Sequence, residues 1–294
     1  MSQVHERVLM LGQRKSLLGI LAENPTAASD ATRPVIIILN AGIIHRVGPS
    51  RVHVALARRL AGLGYATLRF DLSGVGDSER SPEARAPLDA ALADIHEVLD
   101  SLAPIIQSRG TVLAGICSGA DHAVIYAGSD PRVVGVVLVD PHIPRTRRYY
   151  LYYYGRRLFR LDSWLNVLLG RHPMWHSDSP GAIADETRPE ASFIRELNST
   201  EVRTFLQGAY RKANELRNQF LAVFTGGLEA QHCYREQLLD AFPQIRFGER
   251  LRLEYFKSAD HTFASELERQ RLINLVAEWV SRTRFPDPQS SSRT

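Results

Sequence analysis

Five residues, Gly115-Ile116-Cys117-Ser118-Gly119, carry the sharpest chemical signal in the chain. They stand where the apolar run from Thr111 to Ile116 gives way to a helical pattern beginning at Ser118. A nucleophile raised on a strand-to-helix turn needs small residues two before and two after it, because side chains there would collide. Centred on Cys117, those positions are Gly115 and Gly119; centred on Ser118, they are Ile116 and Ala120. Cys117 is therefore the candidate nucleophile, with the positive end of the following helix aimed at its sulfur. Ser118 would contribute a backbone N–H. The competing reading is a structural cysteine buried beside a glycine turn, a common use of free Cys.

A thiol nucleophile needs a base. His261 follows the strand pattern Leu251 to Phe256 and precedes an amphipathic helix, which puts it on a loop at the sheet's edge. As base it would take the thiol proton and return it to a leaving group; otherwise it is an exposed loop histidine. His45, His53 and His122 are isolated and read as surface or supporting residues. His232-Cys233 is adjacent rather than spaced, and no His/Cys/Asp/Glu cluster has metal spacing, so neither metal nor cofactor is expected. Gly74-Val75-Gly76 lacks the third spaced glycine of a dinucleotide fingerprint and follows the second long strand, so it is set aside.

The elements that would position these groups alternate. Val35 to Leu39 is a β-branched run suited to a strand buried on both faces. A helical stripe of Val52, Leu56, Leu60 and Leu63 follows, stopped by Gly64; Ala66 to Leu72 is the next strand. Leu88, Leu92, Ile95, Leu99 and Leu102 mark a helix, Thr111 to Ile116 a strand, Ser118 to Ala127 a helix and Val133 to Val139 a strand. Such alternation implies an α/β protein whose mostly parallel sheet carries helices on both faces. From Pro141 to Leu216 the patterns are helical only, with a stripe of Leu151, Tyr154, Leu158, Leu161 and Leu165. Strands resume at Phe220 to Phe224 and Leu251 to Phe256, with a helix expected near Gln231 to Ala241 and a last one through Leu272, Val276 and Val280. The expected organisation is a core of residues 1–140 and 217–286, an inserted helical cap over 141–216, and a disordered tail at 287–294.

Composition agrees with an ordinary globular protein. The 294 residues are 44% hydrophobic and 23% charged, which excludes disorder, collagen and coiled coil as whole-chain readings. A formal net charge of +4, evenly spread, is too small to argue for nucleic acid. Two cysteines make no disulfide framework and suit a reduced compartment. No run reaches membrane-spanning length, the most tempting one, Gly110 to Ala120, being stopped by Asp121. Arg14 and Lys15 ahead of Ser16 to Ala22 imitate a secretory signal, but Arg7 to Leu11 and Ser16 to Ala22 read better as a hairpin. The expectation is a cytoplasmic protein with no stable membrane insertion.

In this register the chain resembles the α/β-hydrolase superfamily from about Val35 to Val280. Asn40-Ala41-Gly42-Ile43 follows the first long strand, where that family places its oxyanion loop. Arg69-Phe70-Asp71-Leu72-Ser73-Gly74-Val75-Gly76-Asp77-Ser78 is similar to the family's turn after the next strand, and His261 stands where it carries its catalytic histidine. His45-Arg46-Val47-Gly48-Pro49, the tyrosine-rich segment and the Gly-x-Cys elbow resemble, more narrowly, the exosortase-associated hydrolases. The resemblance implies an α/β-hydrolase fold with an inserted helical cap. It also implies an oxyanion hole from the backbone N–H of Ser118 and the Gly42/Ile43 loop. The family's acid usually follows the strand ending at Phe224, but that position holds Gly227, and the nearest carboxylate is Glu229. The superfamily sometimes takes its acid from the preceding strand, where this chain has Asp140. Asp140 is preferred, Glu229 stays open, and a Cys–His dyad is the third option.

Between Arg145 and Arg160 lie six arginines and five tyrosines and no acid. Nucleic-acid binding, an amphipathic helix with arginines in water, and arginines holding the phosphates of a CoA or carrier-protein arm all fit this pattern. The amphipathic helix is preferred, because the rest of the chain offers no basic surface. The expected function is acyl handling through a covalent acyl-enzyme, as thioesterase or acyltransferase on a small acyl thioester or ester. A plain carboxylesterase, or a non-catalytic scaffold on the same fold, are the alternatives, the missing acid at Gly227 keeping the scaffold open.

Overall fold

The computed structural model describes residues 4–26, 32–106, 109–158 and 199–288. Eight strands form one sheet: β1 (His5–Leu11), β2 (Leu17–Glu23), β3 (Val35–Ile38), β4 (Thr67–Phe70), β5 (Thr111–Ile116), β6 (Val133–Val139), β7 (Gln219–Thr225) and β8 (Leu251–Phe256). Their order is β1-β2-β4-β3-β5-β6-β7-β8. β1 and β2 form an antiparallel hairpin whose turn is closed by Lys15 N–H donating to Gly12 O, and β2 joins β4 antiparallel. All remaining pairs are parallel. This is an α/β-hydrolase fold with a mostly parallel eight-stranded sheet.

The helices are α1 (Val52–Gly62), α2 (Pro87–Ser101), α3 (Ala103–Ile106), α4 (Ser118–Ala127), α5 (Arg147–Leu158), α6 (Thr200–Glu215), α7 (Gln237–Ala241) and α8 (Glu266–Arg282). The two-residue side-chain period of the strands sorts them onto two faces. Ile36, Ile38, Val112, Ala114, Val137 and Val223 pack with Leu56 and Leu60 of α1 and Leu272, Val276 and Trp279 of α8. Ile37, Leu113, Val136, Phe220 and Phe224 pack with Ile95 and Leu99 of α2, Ala123 and Val124 of α4, and Leu206 and Tyr210 of α6. Strands clothed on both sides explain the unbroken β-branched runs, and burying each such side chain contributes about 1.5–3 kcal/mol.

Two local expectations shift. The helix expected near Gln231 to Ala241 is confined to α7, because the Gln237 side chain turns back on the preceding segment. Its Oε1 accepts from Cys233 N and its Nε2 donates to Gln231 O, holding 231–236 as a turn. Among the described side chains of α5 Tyr149 is buried, whereas Leu151 is 74% exposed; the side chains of Tyr154 and Leu158, and residues Leu161 and Leu165, lie outside the described ones. Tyr149 packs on Cys233 and Tyr234, and its hydroxyl donates to Glu229 O at 3.1 Å and Ala230 O at 3.0 Å. Arg145 donates to the same Ala230 O at 2.7 Å and lies over the Tyr149 ring, and Arg148 lies 4.7 Å from the Tyr234 ring centre. Both guanidiniums lie over aromatic rings, Arg145 half-buried and Arg148 still exposed to water. Among the described residues no helix is long and apolar enough to cross a membrane.

Candidate active site

Cys117 links β5 directly to α4, with φ 56° and ψ −126°. A non-glycine residue in that region costs about 1–3 kcal/mol, and persists only where its surroundings enforce it. Here its N–H donates to Val139 O at 2.9 Å while its carbonyl accepts from Ala120 N at 2.9 Å and Asp121 N at 3.2 Å. The glycines close the turn. A Cβ on Gly115 would lie 2.2 Å from the Gly119 carbonyl carbon, and one on Gly119 would lie 2.4 Å from Asn40 O. The Cys117 side chain is half-buried.

His261 follows β8 on a loop fixed by its neighbours. Asp260 accepts from Thr262 N at 2.8 Å and Ala264 N at 3.1 Å, and Phe263, fully buried at φ 51°, anchors the turn. The imidazole presents Nδ1 to Asp140 Oδ2 at 2.8 Å, and Cys117 is among the groups that act on the ring. Burial disfavours its charged form, but the hydrogen bonds and charges of Asp140 and Cys117 outweigh that and push its pKa up to about 10.

Asp140 ends β6 with φ 47° and no exposed surface. Its Oδ1 accepts from Thr225 N at 2.7 Å, and its Oδ2 accepts from Thr225 Oγ1 at 2.7 Å as well as facing His261. Burial opposes its ionisation, yet His232, His261 and Thr225 together hold its carboxyl well below the usual range. His232, fully buried, brings Nε2 to 3.1 Å from Asp140 Oδ1. The ring is turned off the hydrogen-bond line, so this contact is not an aligned bond. In the sequence His232 showed only as the neighbour of Cys233, and nothing in that spacing marks its approach to Asp140.

Glu229 is exposed on the turn after β7, and the carboxylate that meets His261 is that of Asp140. Gly227 explains why an acid is missing from its turn: a Cβ there would lie 2.8 Å from Asp260 Cα and 3.0 Å from His261 N. The strand end that would carry an acid is pressed against the backbone of the histidine loop.

Gly42, at φ 57°, donates its N–H to Ser118 Oγ at 2.9 Å, and the Ile43 side chain is 93% exposed. As the first residue of α4, Ser118 has a backbone N–H with no partner inside the helix. The loop is braced from behind. Asn40 donates to Ile44 O at 2.9 Å and accepts from Leu72 N at 2.8 Å, and buried Asp71 takes the N–H of Arg46 and pairs with its guanidinium. His53, also read as isolated, is buried under Gly48, with its pKa lowered to about 4 by burial and by Arg69.

A second imidazole lies at the same end of the sheet. His142, buried two residues after Asp140, donates its backbone N–H to Asp121 Oδ1 at 2.9 Å and sets its Nδ1 against Asp121 Oδ2. Neither residue stood out in the sequence as chemistry; Asp121 registered only as the break in an apolar run. Among the described residues no group of three or more His, Cys, Asp or Glu could hold a metal ion. A thiol, an imidazole, a buried carboxylate and backbone donors within one strand-end cluster suit nucleophilic acyl chemistry.

Solved structures share this architecture at low sequence identity, a likeness of fold alone. The protein DcsB, determined with a substrate analogue, superposes with a TM-score of 0.55 at 17% identity, covering 94% of this chain and 99% of its own. An esterase from Pyrococcus furiosus gives 0.56 at 14% identity, covering 95% and 92%. No curated protein sequence matches the chain. The model of the alpha/beta hydrolase family matches residues 43–282, an interval that spans the elbow, Asp140 and His261, and the chain belongs to that family.

Proposed function

We infer that the protein is an acyl-handling hydrolase in which Cys117 is the nucleophile, His261 the base and Asp140 the residue that orients it. The observation that carries this reading is the 2.8 Å hydrogen bond between the His261 ring and buried Asp140, with Cys117 held in a strained strand-to-helix turn. His261, whose raised pKa lets it hold the thiol proton, leaves the sulfur to attack the carbonyl carbon as thiolate, and the carbonyl electron pair moves to oxygen. Collapse expels the leaving thiol or alcohol, which takes the proton from His261, and leaves a thioester on Cys117. Water or another nucleophile, deprotonated by His261, then attacks that thioester and releases the sulfur. The N–H groups of Ser118 and of the Gly42/Ile43 loop would receive the oxyanion.

A cysteine points to thioesterase or acyltransferase work on a small acyl thioester or ester. A thioester intermediate is readily attacked by amines and thiols, so it favours transfer more than simple ester hydrolysis does. Arginines such as Arg145 and Arg148 lie on the segment that follows Pro141, where the phosphates of a CoA or carrier-protein arm are the partners proposed. The likeness to exosortase-associated hydrolases belongs to the same reading. Asp140 beside His261 weighs against the scaffold alternative, since a base with its own buried carboxylate is the arrangement that turnover needs.

Intact-mass analysis after incubation with activated acyl esters and thioesters tests this. One acyl group per chain is expected, absent from a folded Cys117→Ala variant; labelling retained in that variant overturns the assignment. Product partitioning across amine and alcohol acceptors separates the activities. Thioesters should outperform matched oxygen esters, and acceptors should divert product from the free acid. If oxygen esters are better and no acceptor changes the product, a plain esterase remains.

A further inference from the structure

Asp121 and His142 form a clamp between the two chain segments that bear the reacting groups. Asp121 lies one turn into α4, four residues after Cys117, and His142 lies two residues after Asp140. One carboxylate holds both the backbone N–H and the ring of a single residue, with the Asp121 side chain 14% exposed and that of His142 5%. An acid in the first turn of a helix ordinarily faces the helix's own free N–H groups. This one reaches across to the loop after β6 instead. That loop is where Asp140 is held at φ 47°, a conformation a non-glycine residue keeps only when neighbours fix it.

We propose that Asp121 and His142 are a positioning pair of the acyl-transfer site, keeping Asp140 and His261 in register with Cys117 and fixing a second imidazole at the same end of the sheet. The proposal rests on Cys117 being the nucleophile. Charge balance agrees with it. Burial works against a charged His142, but Asp121 and the sulfur of Cys117 outweigh that and raise its pKa, with His261 opposing. The groups acting on the pair are Cys117 and His261 at the site, His122 on α4 and Tyr210 from α6.

The test uses the full chain and two readouts. Iodoacetamide alkylates the sulfur without any acyl substrate, so its rate–pH profile reports on the pair whether or not turnover is measured. His142→Asn keeps a side-chain donor for Asp121 but no titratable ring, and should move the profile upward by about half a unit or more. Asp121→Asn should lower kcat for an acyl thioester by about tenfold or more with KM within about twofold, since it loosens geometry rather than binding. His142→Gln replaces His142→Asn if that protein does not fold. A profile that superimposes on wild type, or a kcat within about twofold of it, overturns the proposal. Acyl labelling that survives Cys117→Ala instead overturns the nucleophile assignment, a separate outcome.

Discussion

The N–H of Gly42 donates to Ser118 Oγ at 2.9 Å, so the loop proposed to receive the oxyanion is closed on the residue that follows the cysteine. An oxyanion arriving between the loop and the elbow must take that N–H from the hydroxyl. The exchange trades one hydrogen bond for another, and a neutral bond of this kind contributes about 0.5–1.5 kcal/mol net. Ser118→Ala should therefore change acylation rate by no more than about tenfold, in contrast to the complete loss expected for Cys117→Ala. Stopped-flow acylation checks it, and a total loss in Ser118→Ala would shift suspicion to Ser118 as nucleophile.

Asp140 and Glu229 should separate sharply. Asp140→Asn leaves the volume but places an amide opposite His261 Nδ1, so the favoured tautomer is lost and turnover should fall by about three to four orders of magnitude. Glu229→Gln, on an exposed turn, should stay within about twofold. Steady-state kinetics on both variants decide it. Two mild effects would indicate a dyad.

The pair also predicts how stability follows pH. His261 is raised in the folded chain to about 10 from an ordinary value near 6.5, so its contribution is whole below about pH 6.5 and is lost as pH rises toward 10. Asp140 is depressed, so its contribution is whole above about pH 4 and is lost as acid protonates it. The Tm gap between wild type and His261→Gln should thus be widest between those limits and narrow on the alkaline side. A gap that widens from pH 7 to pH 10 would contradict the Asp140–His261 contact.

Restoring an acid to the strand end after β7 should fail. The Cβ of Gly227→Asp would meet backbone atoms of Asp260 and His261 that cannot swing aside. Overpacking of this kind costs about 1–3 kcal/mol, or roughly 2–10 °C in Tm for a chain of this size. The same substitution should not rescue Asp140→Asn. Differential scanning fluorimetry and turnover of the double variant supply both answers.

The sheet was legible because its signal is local. Val133 to Val139 and Thr111 to Ile116 are continuous apolar runs whose bounds the structure reproduces, and Gly64 and Ser118 mark helix ends by residue type. The elbow could be read from glycine spacing, and the loop position of His261 from its flanking elements. The meeting of Asp140 and His261, 121 residues apart, has no local signature, which is why Glu229 stood beside Asp140 as an open choice. Asp121 with His142, and His232 with Asp140, escaped for the same reason: each is an ordinary singleton until the strand ends converge. Leu151 misled because tyrosine is amphipathic, so an apolar count favours Leu151 while packing buries Tyr149.

With the carboxylate for His261 arriving from β6, the turn after β7 is released to other work, and it carries fastening points instead. Glu229 O and Ala230 O receive the Tyr149 hydroxyl, and Ala230 O also takes the Arg145 guanidinium. Backbone carbonyls read no side-chain identity, so sequence drift at Glu229 and Ala230 can proceed without undoing the attachment of α5. The chain therefore separates two kinds of heritable change: substitutions at 229–230 that adjust how the tyrosine-rich segment sits, and substitutions at 140 that reach the histidine itself. A mutational library confined to that turn would explore the first while leaving the second untouched.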